Sequence, residues 1–304
     1  MIHTARAAAH AWLPVSSCGP SCIGAADRVG PGRITLRATG IAGLLMSFPL
    51  ARLLTPPAHR DRMSSAWARA ALRFLGIRSR TVDRRRDADA AHGGGVLVVA
   101  GHIGWTDVLA LLAVRPMGFV ARADLVDWPV LGTLARRARI EPLERERLRA
   151  LPEVVGRVTR RLARGETVAV FPEGTTWCGR AHGRLRPAFF QAAVDAGVPV
   201  QPIRLRYLDH HGARSAVPAF VGDESFLASA LRVLGSRGLT VEVVLEPLEQ
   251  PGRDRRDLAG RCDRAVRAGE SAVTREPVVT REPVVTRSAA GRRSAGRTES
   301  IESR

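Results

Sequence analysis

The sequence predicts an α/β protein: a central mixed β-sheet flanked by helices, with an N-terminal membrane-apposed helical segment. Three observations carry this. VLVVA at Val96 to Ala100 and TVAVF at Thr167 to Phe171 are short, apolar, β-branched runs, the signature of strands buried on both faces. Segments of helical period alternate with such runs, the order that specifies an α/β sheet. Ahead of them, Ala38 to Ala51 is uncharged, with Arg37 and Arg52 at its ends. The expected division is an irregular and membrane-interface segment over residues 1–59, an α/β domain over 60–250, and a terminal helix with a disordered basic tail over 251–304.

Residues 1–32 hold Pro14, Pro20, Pro31 and several glycines, and are predicted irregular. No basic start leads into an apolar run with a small-residue cleavage site, so no signal peptide is expected. The uncharged run is shorter than the ~20 apolar residues of a spanning helix and contains Pro49. It is therefore predicted to lie in the membrane interface or dip into it, its arginines on lipid headgroups. A helix buried against the domain is the alternative. Arg60 to Ile77 sets Met63, Ala66, Trp67, Ala70, Leu72, Phe74 and Leu75 among arginines, an amphipathic helix. Arg78 to Gly95, polar and glycine-ended, reads as a linker into the first strand.

Beyond Val96 to Ala100, Gly101 and Gly104 interrupt the run, and Thr106 or Asp107 can cap a helix over Val108 to Val114. Strands are expected at Phe119 to Ala121 and Ile140 to Leu143, with a helix over Trp128 to Arg139 between them. Arg147 to Arg164 turns Leu148, Leu151, Val154, Val155, Val158 and Leu162 to the core and stops at Gly165. After TVAVF come a helix over Pro187 to Ala196, a strand over Val198 to Tyr207, and a variable stretch to Gly238. Leu239 to Leu245 closes the sheet. Asp254 to Ala268 suits a last helix. REPVVT then occurs twice, at Arg275 to Thr280 and Arg281 to Thr286, which is low-complexity sequence and not a solenoid.

The net charge of +18 and pI of about 11.5 favour anionic partners such as a phospholipid surface, phosphorylated cofactors or an acidic carrier protein. All the basic residues are arginine, a bias that a GC-rich genome also produces. Nucleic acid is excluded as a partner: the arginines are scattered, no binding motif is present, and a single tyrosine gives few stacking platforms. Of the four cysteines only Cys18 and Cys22, in CGPSC, are clustered. Two thiols are too few for structural zinc, and His3 and His10 do not complete a known spacing. No metal is expected.

His102 leaves the carboxyl end of a buried strand, where open α/β sheets place their ligands. A histidine there can serve as a general base, and Asp107 can fold back across the glycine turn to hold the imidazole. On one continuous helix the two would point about 140° apart and could not meet. The H-x4-D spacing is common by chance, and an N-cap aspartate beside an exposed loop histidine is the structural alternative. A second turn, VFPEGTT at Val170 to Thr176, comes after another buried strand and opens on the same sheet edge. Its Glu173 and free backbone amides beside a histidine base suit the positioning of a hydroxyl-bearing substrate.

His102-x4-Asp107 followed by FPEGT resembles the 1-acylglycerol-3-phosphate acyltransferase family of glycerolipid acyltransferases. Arg122, Leu125, Pro129, Gly132 and Arg145 are similar to that family's middle block, and Val198, Pro199 and Pro202 to its fourth. The resemblance covers roughly Val96 to Tyr207 and implies an O-acyltransferase. An acceptor hydroxyl would lose its proton to His102 and attack the thioester of acyl-CoA or acyl-carrier protein, with no cofactor and no enzyme nucleophile. Glu173, Gly174 and Thr175 would hold the glycerol portion or build the site, and Arg122 and Arg145 would take phosphate. Cys178 is a bystander on this reading. The implied setting is the cytoplasmic face of the cell membrane, with a lysolipid acceptor, in the first place 1-acyl-sn-glycerol-3-phosphate. Thr176 stands where many phosphatidate-forming members carry arginine, and FPEGTT with VQP at Val200 to Pro202 is similar to lyso-ornithine lipid acyltransferases. A catalytically silent lipid-binding homologue and a charge-driven anion-binding module are the rivals from other classes.

Overall fold

The computed structural model describes residues 14–90, 92–123, 139–144 and 147–268. Among these, seven strands form one sheet: β1 (Ile77–Asp83), β2 (Val96–Ala100), β3 (Gly118–Arg122), β4 (Ile140–Leu143), β5 (Thr167–Val170), β6 (Val200–Leu208) and β7 (Leu239–Leu245). Their order is β1-β7-β6-β2-β5-β3-β4. Strands β6, β2, β5, β3 and β4 run parallel, while β7 pairs antiparallel with β6 and parallel with β1. The sheet is mixed, as expected. The carboxyl ends of β2 and β5 share one edge, which also receives the amino ends of β1 and β7.

The central strand shows why an unbroken apolar run was needed. Val96, Val98 and Ala100 enter one core cluster and Leu97 the other, together with Val99, so both faces of β2 are packed. On the first face lie α2 (Arg60–Phe74) and α4 (Thr106–Val114), which contribute Leu72 and Leu111. α7 (Phe226–Gly235) adds Val233. The second face is covered by α5 (Leu151–Ala163), α6 (Phe190–Ala196) and α8 (Arg255–Arg267), through Val158, Phe190 and Leu258.

Several expectations change. The linker predicted over Arg78 to Gly95 is strand β1 followed by the short helix α3 (Asp87–Ala90), and the preceding helix ends at Phe74. β1 is an edge strand whose Arg78 and Arg80 stand among mostly accessible positions, the charged character that protects a sheet edge. Its lack of an apolar run hid it. Consequently β7 does not close the sheet but lies between β1 and β6. The helix expected from Arg147 begins at Leu151, with Pro152 in its first turn, where a missing N–H costs nothing. The stretch to Gly238 contains α7. The helix expected over Trp128 to Arg139, apart from Arg139, Arg145 and the repeat-bearing tail, and also His3 and His10, lie outside the described residues.

The first helix is longer than the uncharged run. α1 (Pro31–Leu54) has 24 residues and continues through Pro49, which forfeits only one bond near the carboxyl end. One side of α1 packs on the domain: the Phe48 and Trp67 rings meet at 4.9 Å, and Arg37 donates to the carbonyls of Leu234 and Ser236. The remainder exposes Leu36, Met46, Leu50, Leu53 and Leu54.

Leu97→Ala is expected to destabilise the protein by about 2–5 kcal/mol, because a fully buried leucine leaves a cavity in the central strand. The shift in urea midpoint measures it.

Candidate active site

The residues between β2 and α4 make a turn whose amides converge on one carboxylate. Asp107 has no solvent exposure, and His102 keeps 16% of its side chain accessible. Asp107 Oδ2 lies 2.9 Å from His102 Nδ1 and accepts the backbone N–H groups of Ile103 at 2.7 Å and Gly104 at 2.9 Å. The Tyr207 hydroxyl donates to Oδ1 at 2.8 Å and lies 2.7 Å from the Thr106 hydroxyl. The capping expectation is corrected: α4 starts at Thr106 with Trp105 as its N-cap and no capping side chain, and Asp107 accepts amides of the preceding turn. The orienting reading matches the geometry, since that one carboxylate ties the turn and holds the imidazole. Gly104 is required there, because a Cβ would lie 2.2 Å from the Pro218 carbonyl oxygen. The Nδ1–H donated to Asp107 leaves Nε2 as the ring's acceptor.

The second turn grips the first. Phe171 stacks on the His102 ring with centroids 4.0 Å apart and planes 13° from parallel. The His102 amide donates to Glu173 Oε2 at 2.8 Å, and the Trp177 amide donates to the His102 carbonyl at 2.7 Å. Glu173 Oε1 accepts the Gly183 amide at 3.2 Å and lies 3.6 Å from Arg267 of α8. Burial pushes the Glu173 carboxyl up to about 7, against the pull of the His102 amide, Arg267 and the Gly183 amide. Burial and the Asp107 carboxylate raise the Tyr207 phenol well above its ordinary value.

Of the residues singled out in the sequence, His102, Asp107 and Glu173 come together. Gly174 takes a left-handed φ of 76° against Pro14, and Thr175 is half-buried beside it. Arg122 is exposed at the carboxyl end of β3, on the same sheet edge, and Arg145 is outside the described residues. Thr176 donates its hydroxyl to the Phe220 carbonyl, so it serves the loop before α7. Sequence reasoning missed Tyr207, Phe171, Trp177 and Arg267. Phe171 was legible, since it adjoins the Pro-Glu-Gly turn. Tyr207 was visible only as the one tyrosine in the chain, and nothing in sequence links Arg267 to Glu173.

A sheet edge carrying a histidine–carboxylate pair and a buried glutamate defines the class of protein once relatives are compared. The sequence model of the family described as Acyltransferase matches residues 79–206. Over 216 residues the chain is 33% identical to a 1-acyl-sn-glycerol-3-phosphate acyltransferase of Neisseria gonorrhoeae, covering 70% of this chain and 82% of that protein. It is 36% identical over 181 residues to a lyso-ornithine lipid O-acyltransferase of Pseudomonas aeruginosa, covering 57% and 66%. The crystal structure of the 1-acyl-sn-glycerophosphate (LPA) acyltransferase PlsC from Thermotoga maritima shares the fold, with a TM-score of 0.57 at 17% identity over 80% of this chain and 95% of that one. The protein is an acyltransferase of the lysophospholipid type. It belongs to the 1-acyl-sn-glycerol-3-phosphate acyltransferase family.

Two outcomes are expected from the buried groups. Folded Glu173 keeps its proton up to about pH 7, whereas the unfolded chain releases it near the ordinary carboxyl value of 4.5. Its contribution to stability is complete below 4.5 and lost as pH rises to about 7. The melting temperature should fall across that window, and Glu173→Gln should flatten the slope. Tyr207→Phe leaves Asp107 Oδ1 without its O–H donor and should cost about 1–3 kcal/mol in urea unfolding.

Proposed function

We propose that the enzyme transfers a fatty acyl group from acyl-CoA or acyl-carrier protein to the free hydroxyl of 1-acyl-sn-glycerol-3-phosphate, giving phosphatidate. The observation that carries this reading is the His102–Asp107 contact at the carboxyl end of the central strand. His102 Nε2 takes the proton of the acceptor hydroxyl, whose oxygen attacks the thioester carbonyl carbon. The tetrahedral intermediate collapses, the C–S bond breaks, and the departing thiolate takes the proton back from Nε2. Asp107 stabilises the imidazolium between these steps, as the acid of a triad does. The thioester is already activated, so these residues suffice without an enzyme nucleophile or a cofactor.

Glu173 positions the base through the His102 amide and, with Gly174 and Thr175, shapes the acceptor subsite. Arg122 and Arg145 take the acceptor phosphate by charge-assisted hydrogen bonds. A specific observation favours a second acceptor. Thr176 offers no cation and spends its hydroxyl on the Phe220 carbonyl, which suits lyso-ornithine lipid, an acceptor without a phosphate monoester.

The exposed leucines and Met46 of α1, with Phe74, Leu227 and Leu231, support docking on a bilayer. α1 is long and apolar enough to cross a membrane, with hydropathy 1.4. Its packing on Trp67 and its Arg37 contacts with the Leu234 and Ser236 carbonyls at the end of α7 instead support a helix held along the interface. The net charge of +18 suits the anionic cytoplasmic leaflet.

His102→Ala should retain its circular dichroism spectrum and lose about 10²–10⁴-fold in acyl transfer, assayed with labelled acyl-CoA. Wild-type rates from this variant would refute the mechanism. In the same assay Arg122→Ala should raise KM for lysophosphatidate and leave kcat nearly unchanged. Turnover of lyso-ornithine lipid alone would assign the second acceptor.

A further inference from the structure

The sequence counts two clustered thiols, but the fold assembles three. Cys18, Cys22 and Cys178 have sulfurs within 4.8 Å of one another, although the third comes from the segment after the second active-site turn. Cys18 and Cys178 are buried, Cys22 is half-buried, and all three are free thiols. A tetrahedral zinc ion with bonds of about 2.3 Å separates its sulfurs by about 3.8 Å, so a contraction of no more than roughly 1 Å closes the triangle on a metal.

The surroundings suit bound thiolates. The Cys178 amide donates to Cys18 Sγ at 3.4 Å. Backbone N–H groups directed at sulfur stabilise the deprotonated, metal-ligating form. The acyl-transfer chemistry uses none of these thiols. The remaining cysteine, Cys262, lies on the buried face of α8 in the opposite core cluster, and desolvation pushes its thiol far up. It is an ordinary core residue.

We propose that Cys18, Cys22 and Cys178 form a structural site for a thiophilic divalent cation, zinc, with water completing the tetrahedron. Binding converts three S–H groups to metal thiolates and releases their protons to solvent. The metal joins the segment ahead of α1 to the stretch after Trp177, whose amide holds the His102 carbonyl. It therefore staples the membrane-proximal segment to the active-site turn.

The test uses the full chain, purified with its thiols reduced and then desalted. Mass spectrometry of metal content should find about one zinc per chain, and cobalt substitution should give near-ultraviolet thiolate-to-cobalt charge-transfer bands. Cys22→Ser, which alters the most accessible ligand, should fall below about a tenth of an equivalent and melt at lower temperature, while Cys262→Ser should keep its metal. Chelation should lower the wild-type melting temperature toward that of Cys22→Ser. Failure of reduced wild-type protein to retain zinc or cobalt would overturn the proposal. So would equal metal loss in Cys262→Ser, or a disulfide between two of the three cysteines in anaerobically prepared protein. These readouts do not depend on which lipid is acylated.

Discussion

A carboxylate without solvent exposure is costly unless its lone pairs are used, and Asp107 uses them on the turn that carries His102. Two backbone amides, the imidazole N–H and a phenol converge on its two oxygens. Uncompensated burial of such a group would cost several kcal/mol, so the turn cannot open without exposing that penalty. The orientation of His102 is thereby fixed by the energetics that close the turn. Fold and imidazole share one anchor.

The second turn extends this constraint across the sheet. β5 lies beside β2 in parallel register, so the residues after Val170 emerge next to those after Ala100. Phe171 takes the imidazole face, Glu173 the His102 amide and Trp177 its carbonyl. His102 is held on its ring, its N–H and its C=O, while among the described residues none is hydrogen-bonded to Nε2. A ring held in this way is preorganised, so it needs little rearrangement to act in the proposed acyl transfer.

Legibility in the sequence depended on where each signal sits. Val96 to Ala100 and Thr167 to Phe171 announced themselves because strands packed on both faces must be apolar throughout. The glycine-bearing turns after them marked the shared edge and brought His102, Asp107 and Glu173 into view. β1 was missed because an edge strand shows one face to water and carries arginines. Tyr207, Arg267 and the gathering of Cys178 with Cys18 were illegible for a common reason. Each is a contact between segments distant in sequence, fixed by strand order, and strand order across the β6–β7 reversal is not written in local periodicity.

The Glu173–Arg267 pair has a consequence for how the enzyme comes into being. Parts of the site are supplied by Pro14 against Gly174 near one end and by Arg267 near the other. β1 cannot pair until β7 is made, although more than half the chain is synthesised between them. Such separations place the molecule among slowly closing topologies, whose early intermediates leave strand edges unsatisfied. On the ribosome, α1 emerges well before any part of the sheet that can receive it. Its apolar surface, with Leu36, Met46, Leu50, Leu53 and Leu54 exposed, is therefore made while the histidine turn does not yet exist, and it needs cover before the site is assembled.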